Sequence, residues 1–201
     1  MKTPNIATRE EWLNAIASAL RPTFQDLGHP LPEKLRVSRG WPSKGGLSKK
    51  KRVRGQCWYP DCSADGTTEV FISPWLGNDP LVPLVLAHEL VHAAIGPGHG
   101  HKGLFIEVAR ALGLLKPWTT ATPTPELEAK LQGLVDAVGP YPHATLDDAA
   151  SEAGGGDKPG GTRLLKVACD CGYTVRVTRK WLDALGAPKC PHNDQPMKEA
   201  A

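Results

Sequence analysis

Apolar residues recur early in the chain at intervals of three and four. Trp12, Leu13, Ile16 and Leu20 fall on one face of a helix, and Thr8 with Glu11 three residues on supplies a capping box at its start. Pro22 is expected to end or kink this helix. The period then changes to two. Leu35 and Val37 open a strand that stops at Gly40, Trp41 and Pro42, and Val53 to Tyr59 and Thr68 to Ser73 read as two more. Pro60, Asp61, Ser63, Asp65 and Gly66 form the turn between them. A small antiparallel sheet is the expected result.

Helical spacing returns after Asp79, a candidate N-cap with Pro80 at the first helical position. The apolar run through Leu90 and Ile95 stops at Gly96. A return helix from about Lys102 to Leu112 carries Leu104, Phe105, Val108, Ala109 and Leu112 on one face and closes at Gly113. A further helix starts at Thr124 and Pro125, buries Leu127, Leu131, Leu134, Val135 and Val138, and stops at Gly139. From Pro140 to Gly161 the periodicity disappears and glycine and proline dominate, as in a flexible linker. The pattern therefore predicts an α+β protein: a main domain over 1–139, a linker over 140–161, a small module over 162–195 and a tail over 196–201.

The 201 residues carry a net charge of +3, which excludes both a histone-like basic arm and an acidic solvating tail. The distribution says more than the total. Between Lys34 and Arg54 lie nine basic residues and no acidic one, the chain as far as Gly161 is acidic, and the last module is basic again through Arg176, Arg179 and Lys180. The run from Leu81 to Ala87 is broken by Pro83 and is far short of the roughly 20 residues of a membrane span. With no export signal visible, a reducing, cytoplasmic compartment is expected, where five cysteines favour metal over disulfides.

The strongest chemical signal is His88-Glu89-Leu90-Val91-His92 on the expected central helix. Residues four apart stand one above the other, so both imidazoles can reach one metal ion, and Glu89 is rotated to reach a water held by it. Catalytic zinc takes three protein ligands and leaves a fourth position for water. His99 and His101, just past the Gly96-Pro97 turn, are candidates for the third, with Glu107 on the return helix an outside one. In the last module Cys169, Cys171, Cys190 and His192 form a four-ligand set of the zinc-ribbon kind, with Gly172 in the knuckle turn. Zinc there would be structural, supplying folding energy that so short a stretch cannot find in its core. Cys57 and Cys62 read as a buried strand cysteine and a loop cysteine.

The segment holding Lys44, Lys49, Lys50, Lys51, Arg52 and Arg54, with Trp41 before it and Trp58 and Tyr59 after, suits contact with the backbone and bases of single-stranded DNA. A solvated basic loop would have the same composition.

Over residues 7–115 the chain resembles the SprT-like (Spartan-type) metalloproteases, particularly the short bacterial and phage members. The likeness rests on the Gly-Trp-Pro after the first strand, Gly55-Gln56-Cys57-Trp58, Ser63-Ala64-Asp65-Gly66, Phe71-Ile72-Ser73-Pro74, the His88 to His92 motif, and His101 to Phe105 with Ala109 to Leu114 beyond. It implies a zincin-like fold, a catalytic zinc with Glu89 as the base in peptide-bond hydrolysis, and protein substrates that include proteins crosslinked to DNA. The family's third zinc histidine stands four residues before an aromatic residue, which points to His101, although Lys102 replaces the glycine that usually follows. Members of the family commonly carry a C-terminal zinc ribbon as well.

Overall fold

A computed structural model describes residues 8–48, 51–77, 80–147 and 164–200. The chain divides into two compact units, 1–151 and 152–201, each with its own core. The expected N-cap Asp79, the basic residues Lys49 and Lys50, and most of the expected linker lie outside the described residues.

The first unit is mixed α and β. Helix α1 (Arg9–Asp26) opens on the capping box: Thr8 Oγ1 accepts from the Glu11 N–H, and the Glu11 carboxylate accepts from the Thr8 N–H. The helix does not end at Pro22 but runs one turn beyond it, because Phe24 continues the buried stripe of Trp12, Leu13, Ile16 and Leu20. Burial of a phenylalanine, about 2 kcal/mol or more, offsets much of the cost of the hydrogen bond proline removes.

Strands β1 (Leu35–Arg39), β2 (Gly55–Trp58) and β3 (Thr68–Ile72) form a sheet in the order β1-β3-β2. It is mixed and not antiparallel: β3 runs antiparallel to β2 and parallel to β1. The reason lies in segment 40–54, which carries the chain across to the far side of β3 instead of turning it back beside β1. Both β1 and β2 are edge strands. The outer edge of β1 is covered by Asn14 of α1, which accepts from the Val37 N–H at 3.1 Å and donates to the Val37 carbonyl at 2.7 Å.

Helix α2 (Leu81–Ile95) is the centre of the unit. Pro80 occupies its N-cap position, and every residue from Val82 to Ala93 is buried against α1, the sheet and the two helices that follow. Helix α3 (Leu104–Leu112) buries Phe105, Val108, Ala109 and Leu112. It closes on Gly113, whose φ of 103° is the left-handed conformation that glycine adopts without penalty. Helix α4 (Pro125–Val138) is capped by the Thr124 hydroxyl and buries Leu127 and Leu131, while Leu134, Val135 and Val138 are half-buried at its margin. The start of the expected linker packs onto this unit: Tyr141 is buried with its ring 4.9 Å from that of Trp12, and His143 bonds Arg9 at 2.8 Å.

The second unit is a hairpin of β4 (Leu164–Ala168) and β5 (Thr174–Thr178), followed by a short helix α5 (Arg179–Leu185). The expected tail belongs to the sheet. Strand β6 (Lys198–Glu199) pairs with β4, and Met197 joins Val167, Cys169 and Cys190 in a small core. No helix among the described residues is long and apolar enough to cross a membrane.

Candidate metal centre

His88 and His92 lie one turn apart on α2, and the chain returns through the turn at 96–103 to bring a third imidazole over them. That third residue is His101. Its Nε2 stands 3.1 Å from Nε2 of His88 and 3.3 Å from Nε2 of His92. His99 and the exposed Glu107 do not join the cluster. Phe105, from the first turn of α3, packs on all three rings at centroid distances of 5.2, 4.4 and 4.8 Å and so holds their orientations.

These spacings suit one ion. A tetrahedral zinc with imidazole nitrogens at about 2.0–2.1 Å sets them about 3.4 Å apart. Ordinary hydrogen bonding cannot satisfy three imidazole nitrogens that all point at one another, since each neutral ring carries a single N–H. Burial pushes His88 down to about 3 and His92 down to about 4, with the neighbouring imidazoles adding to the effect. Both are therefore neutral near pH 7, the form that offers a lone pair to a metal.

Glu89 packs against the start of β2, lines the same cleft as the imidazoles, and is only 7% exposed. Its neighbour is Gly55 at the start of β2, where a Cβ would lie 2.8 Å from the Glu89 Cγ. Burial raises the carboxyl to about 8, and the Cys57 backbone N–H, which donates to it, acts in the opposite direction. A dication beside this group would favour its ionised form.

The three imidazoles and Glu89 open into a cleft of about 670 Å³. Segment 51–57 with Tyr59 lines it, as do Thr119, Thr120 and Ala121. The loop bearing these last three is held by the Leu115 N–H to the Thr122 carbonyl at 2.8 Å and the Thr124 N–H to the Gly113 carbonyl at 2.7 Å. No periodicity or motif marks that loop in the sequence. Burial pushes the Tyr59 phenol up to about 12, so it remains a hydrogen-bond donor.

The basic segment is divided. Lys51, Arg52 and Arg54 line the cleft, and Lys44 is exposed and does not. Trp58 is half-buried with its ring edge-on to that of Phe71, and Tyr59 is half-buried at the cleft wall. Cys57 and Cys62 are free thiols, the first half-buried on β2 and the second exposed.

In the second unit Cys169, Cys171 and Cys190 converge with their sulfurs within 4.8 Å of one another. Cys171 and Cys190 are 3.5 Å apart, near the roughly 3.8 Å separation of thiolates around one zinc. His192 does not join them. The turn after Cys190, closed by the Asp194 N–H on the Cys190 carbonyl at 2.8 Å, leaves His192 exposed and places the Asn193 amide 3.4 Å from the Cys169 sulfur. The Cys171 backbone N–H holds the Cys169 thiol below its ordinary value, toward the thiolate a metal requires.

No protein-family model, curated protein or solved structure matches the chain.

Proposed function

We propose that the chain is a zinc-dependent endopeptidase of the SprT-like kind, with a zincin-like first unit and a zinc ribbon as its second, acting on proteins held at DNA. The observation that carries this reading is the pairing of a three-imidazole cluster with Glu89. A structural metal site has no use for a buried carboxylate next to its ligands, and burying one costs several kcal/mol unless it is compensated.

When bound, zinc supplies Lewis acidity that lowers the pKa of a water and polarises an amide carbonyl. His88, His92 and His101 hold it through neutral nitrogens, and Phe105 keeps those rings in place. Glu89 takes the proton of the attacking water and passes it to the leaving amine nitrogen, so that hydroxide adds to the carbonyl carbon as the C–N bond breaks. The missing Cβ of Gly55 gives this carboxylate its space. Tyr59 offers an O–H to the carbonyl oxygen as charge develops on it.

The nucleic-acid part of the proposal rests on the basic segment from Lys44 to Arg54. A second reading, a metallopeptidase with no DNA role, is favoured by the same segment's contribution to the cleft wall, where Lys51, Arg52 and Arg54 would meet the substrate chain itself. Cleavage of a DNA-bound protein, followed for zinc-loaded wild type beside Glu89→Gln with and without single-stranded DNA, separates them. Cleavage that needs both Glu89 and DNA supports the first reading. Cleavage that needs Glu89 but ignores DNA supports the second, and cleavage equal in both proteins overturns the role of Glu89.

A further inference from the structure

Arg54 is a charged residue of the cleft that the hydrolytic chemistry does not use. It is half-buried, it immediately precedes Gly55, and so it sits just before the start of β2, beside the place where Glu89 packs. Its main chain is pinned: the Arg54 carbonyl accepts from the Ser73 N–H at 2.8 Å, and the preceding Val53 carbonyl accepts from the Ser73 hydroxyl at 2.7 Å. The guanidinium itself forms no hydrogen bond or ion pair among the described residues. Arg52 differs, because it stacks over Trp75 at 5.8 Å and makes other contacts.

An arginine that lines a cleft without a partner in its own chain is free to bind an anion that enters it. Its planar fork matches a carboxylate oxygen for oxygen. Glu89 is the one carboxylate among the residues lining the cleft, and Arg54 is not paired with it. Lys51, exposed and also on this wall, adds positive potential at the mouth.

We propose that Arg54 is a specificity residue that binds a carboxylate of the substrate close to the bond to be cut. This rests on the peptidase reading above, and it deepens that reading by naming a substrate class. The carboxylate can belong to an aspartate or glutamate side chain or to the end of a peptide chain. The two sources share the chemistry and differ in consequence, since the second would make the protein act near chain ends.

The test is binding, so that it is read apart from turnover. Zinc-loaded full-length Glu89→Gln protein, with and without Arg54→Gln, is titrated by fluorescence anisotropy with three labelled peptides: one with an internal glutamate and an amidated C-terminus, the same peptide with glutamine, and the glutamine peptide with a free C-terminal carboxylate. The glutamate peptide is expected to bind roughly 10- to 100-fold more tightly than the glutamine one, the worth of a charge-assisted pair, and Arg54→Gln is expected to remove the difference. Arg54→Glu should reverse it, favouring a fourth peptide with lysine in place of the glutamate, which a merely structural role would not produce. Arg54-dependent preference for the free-terminus peptide alone supports the carboxylate site and assigns it to chain ends. Equal binding of the three peptides, no binding of any, or an Arg54-dependent affinity seen only for a single-stranded oligonucleotide overturns the proposal. Failure of wild type to cleave the bound glutamate peptide counts against the hydrolytic reading and not against this site.

Discussion

Gly55 has no side chain because Glu89 occupies the space one would fill. A Cβ there would stand 2.8 Å from the Glu89 Cγ and 2.9 Å from its Oε1, closer than such atoms approach. Gly55→Ala is therefore expected to displace the carboxylate while leaving the imidazoles alone. Peptidase kcat/KM should fall by about tenfold or more, with zinc content unchanged. The histidines give a second prediction at this scale. His101→Ala should lose about one equivalent of zinc by direct metal analysis, whereas His99→Ala should keep the wild-type content. The spacing of His88 and His92 is legible in the sequence because a helix makes residues four apart neighbours. The choice between His99 and His101 does not follow from helix spacing, since it depends on the path of the turn at 96–103; the family resemblance points to His101, and that residue joins the cluster. His192 fails for the same reason in reverse: a ligand type in the right place along the chain is turned outward by the bend after Cys190.

At the scale of elements, Asn14 ties α1 to an edge strand that would otherwise leave the Val37 backbone groups without partners. Asn14→Leu should destabilise the first unit by about 1–3 kcal/mol, read as a shift of the urea midpoint, since buried backbone groups are left unsatisfied. The helices α1, α3 and α4 were legible because caps and periodic apolar stripes coincide at each. The polarity of the sheet was not, because alternation identifies strands and says nothing of their neighbours. Helix α5 and strand β6 of the second unit escaped for a simpler reason. Helix α5 buries no residue among Arg179–Leu185, and β6 is a single pair, so neither leaves a periodic signal.

For the whole molecule, ionisation and metal are coupled to stability. In metal-free protein the folded-state values of His88 and His92, about 3 and about 4, lie below their ordinary 6.5. The unfolded chain therefore binds more protons below pH 6.5, and these two groups lower stability as pH falls through that range. Glu89 acts oppositely: raised from 4.5 to about 8, it favours the folded state below pH 4.5 and loses that contribution as pH rises toward 8. Two histidines outweigh one carboxyl between pH 4.5 and 6.5, and the carboxyl acts alone above. The stability these groups lend the metal-free first unit should thus peak near pH 6.5. Denaturant midpoints measured from pH 4.5 to 8 check this, and zinc should remove the decline on the alkaline side by favouring the Glu89 carboxylate. Among the described residues the second unit has only Val167, Cys169, Cys190 and Met197 in its buried core, and two of these are thiols of the three-cysteine cluster. A chelator should therefore abolish its unfolding transition while that of the first unit persists.

The central claim is that His88, His92 and His101 hold a catalytic zinc for which Glu89 is the base. It is tested most directly by measuring zinc content and peptide cleavage on the same samples of wild type, Glu89→Gln and His101→Ala. The account predicts full zinc with cleavage reduced at least about a hundredfold in Glu89→Gln, and the loss of both zinc and cleavage in His101→Ala. Zinc-replete Glu89→Gln that cleaves at the wild-type rate would contradict it.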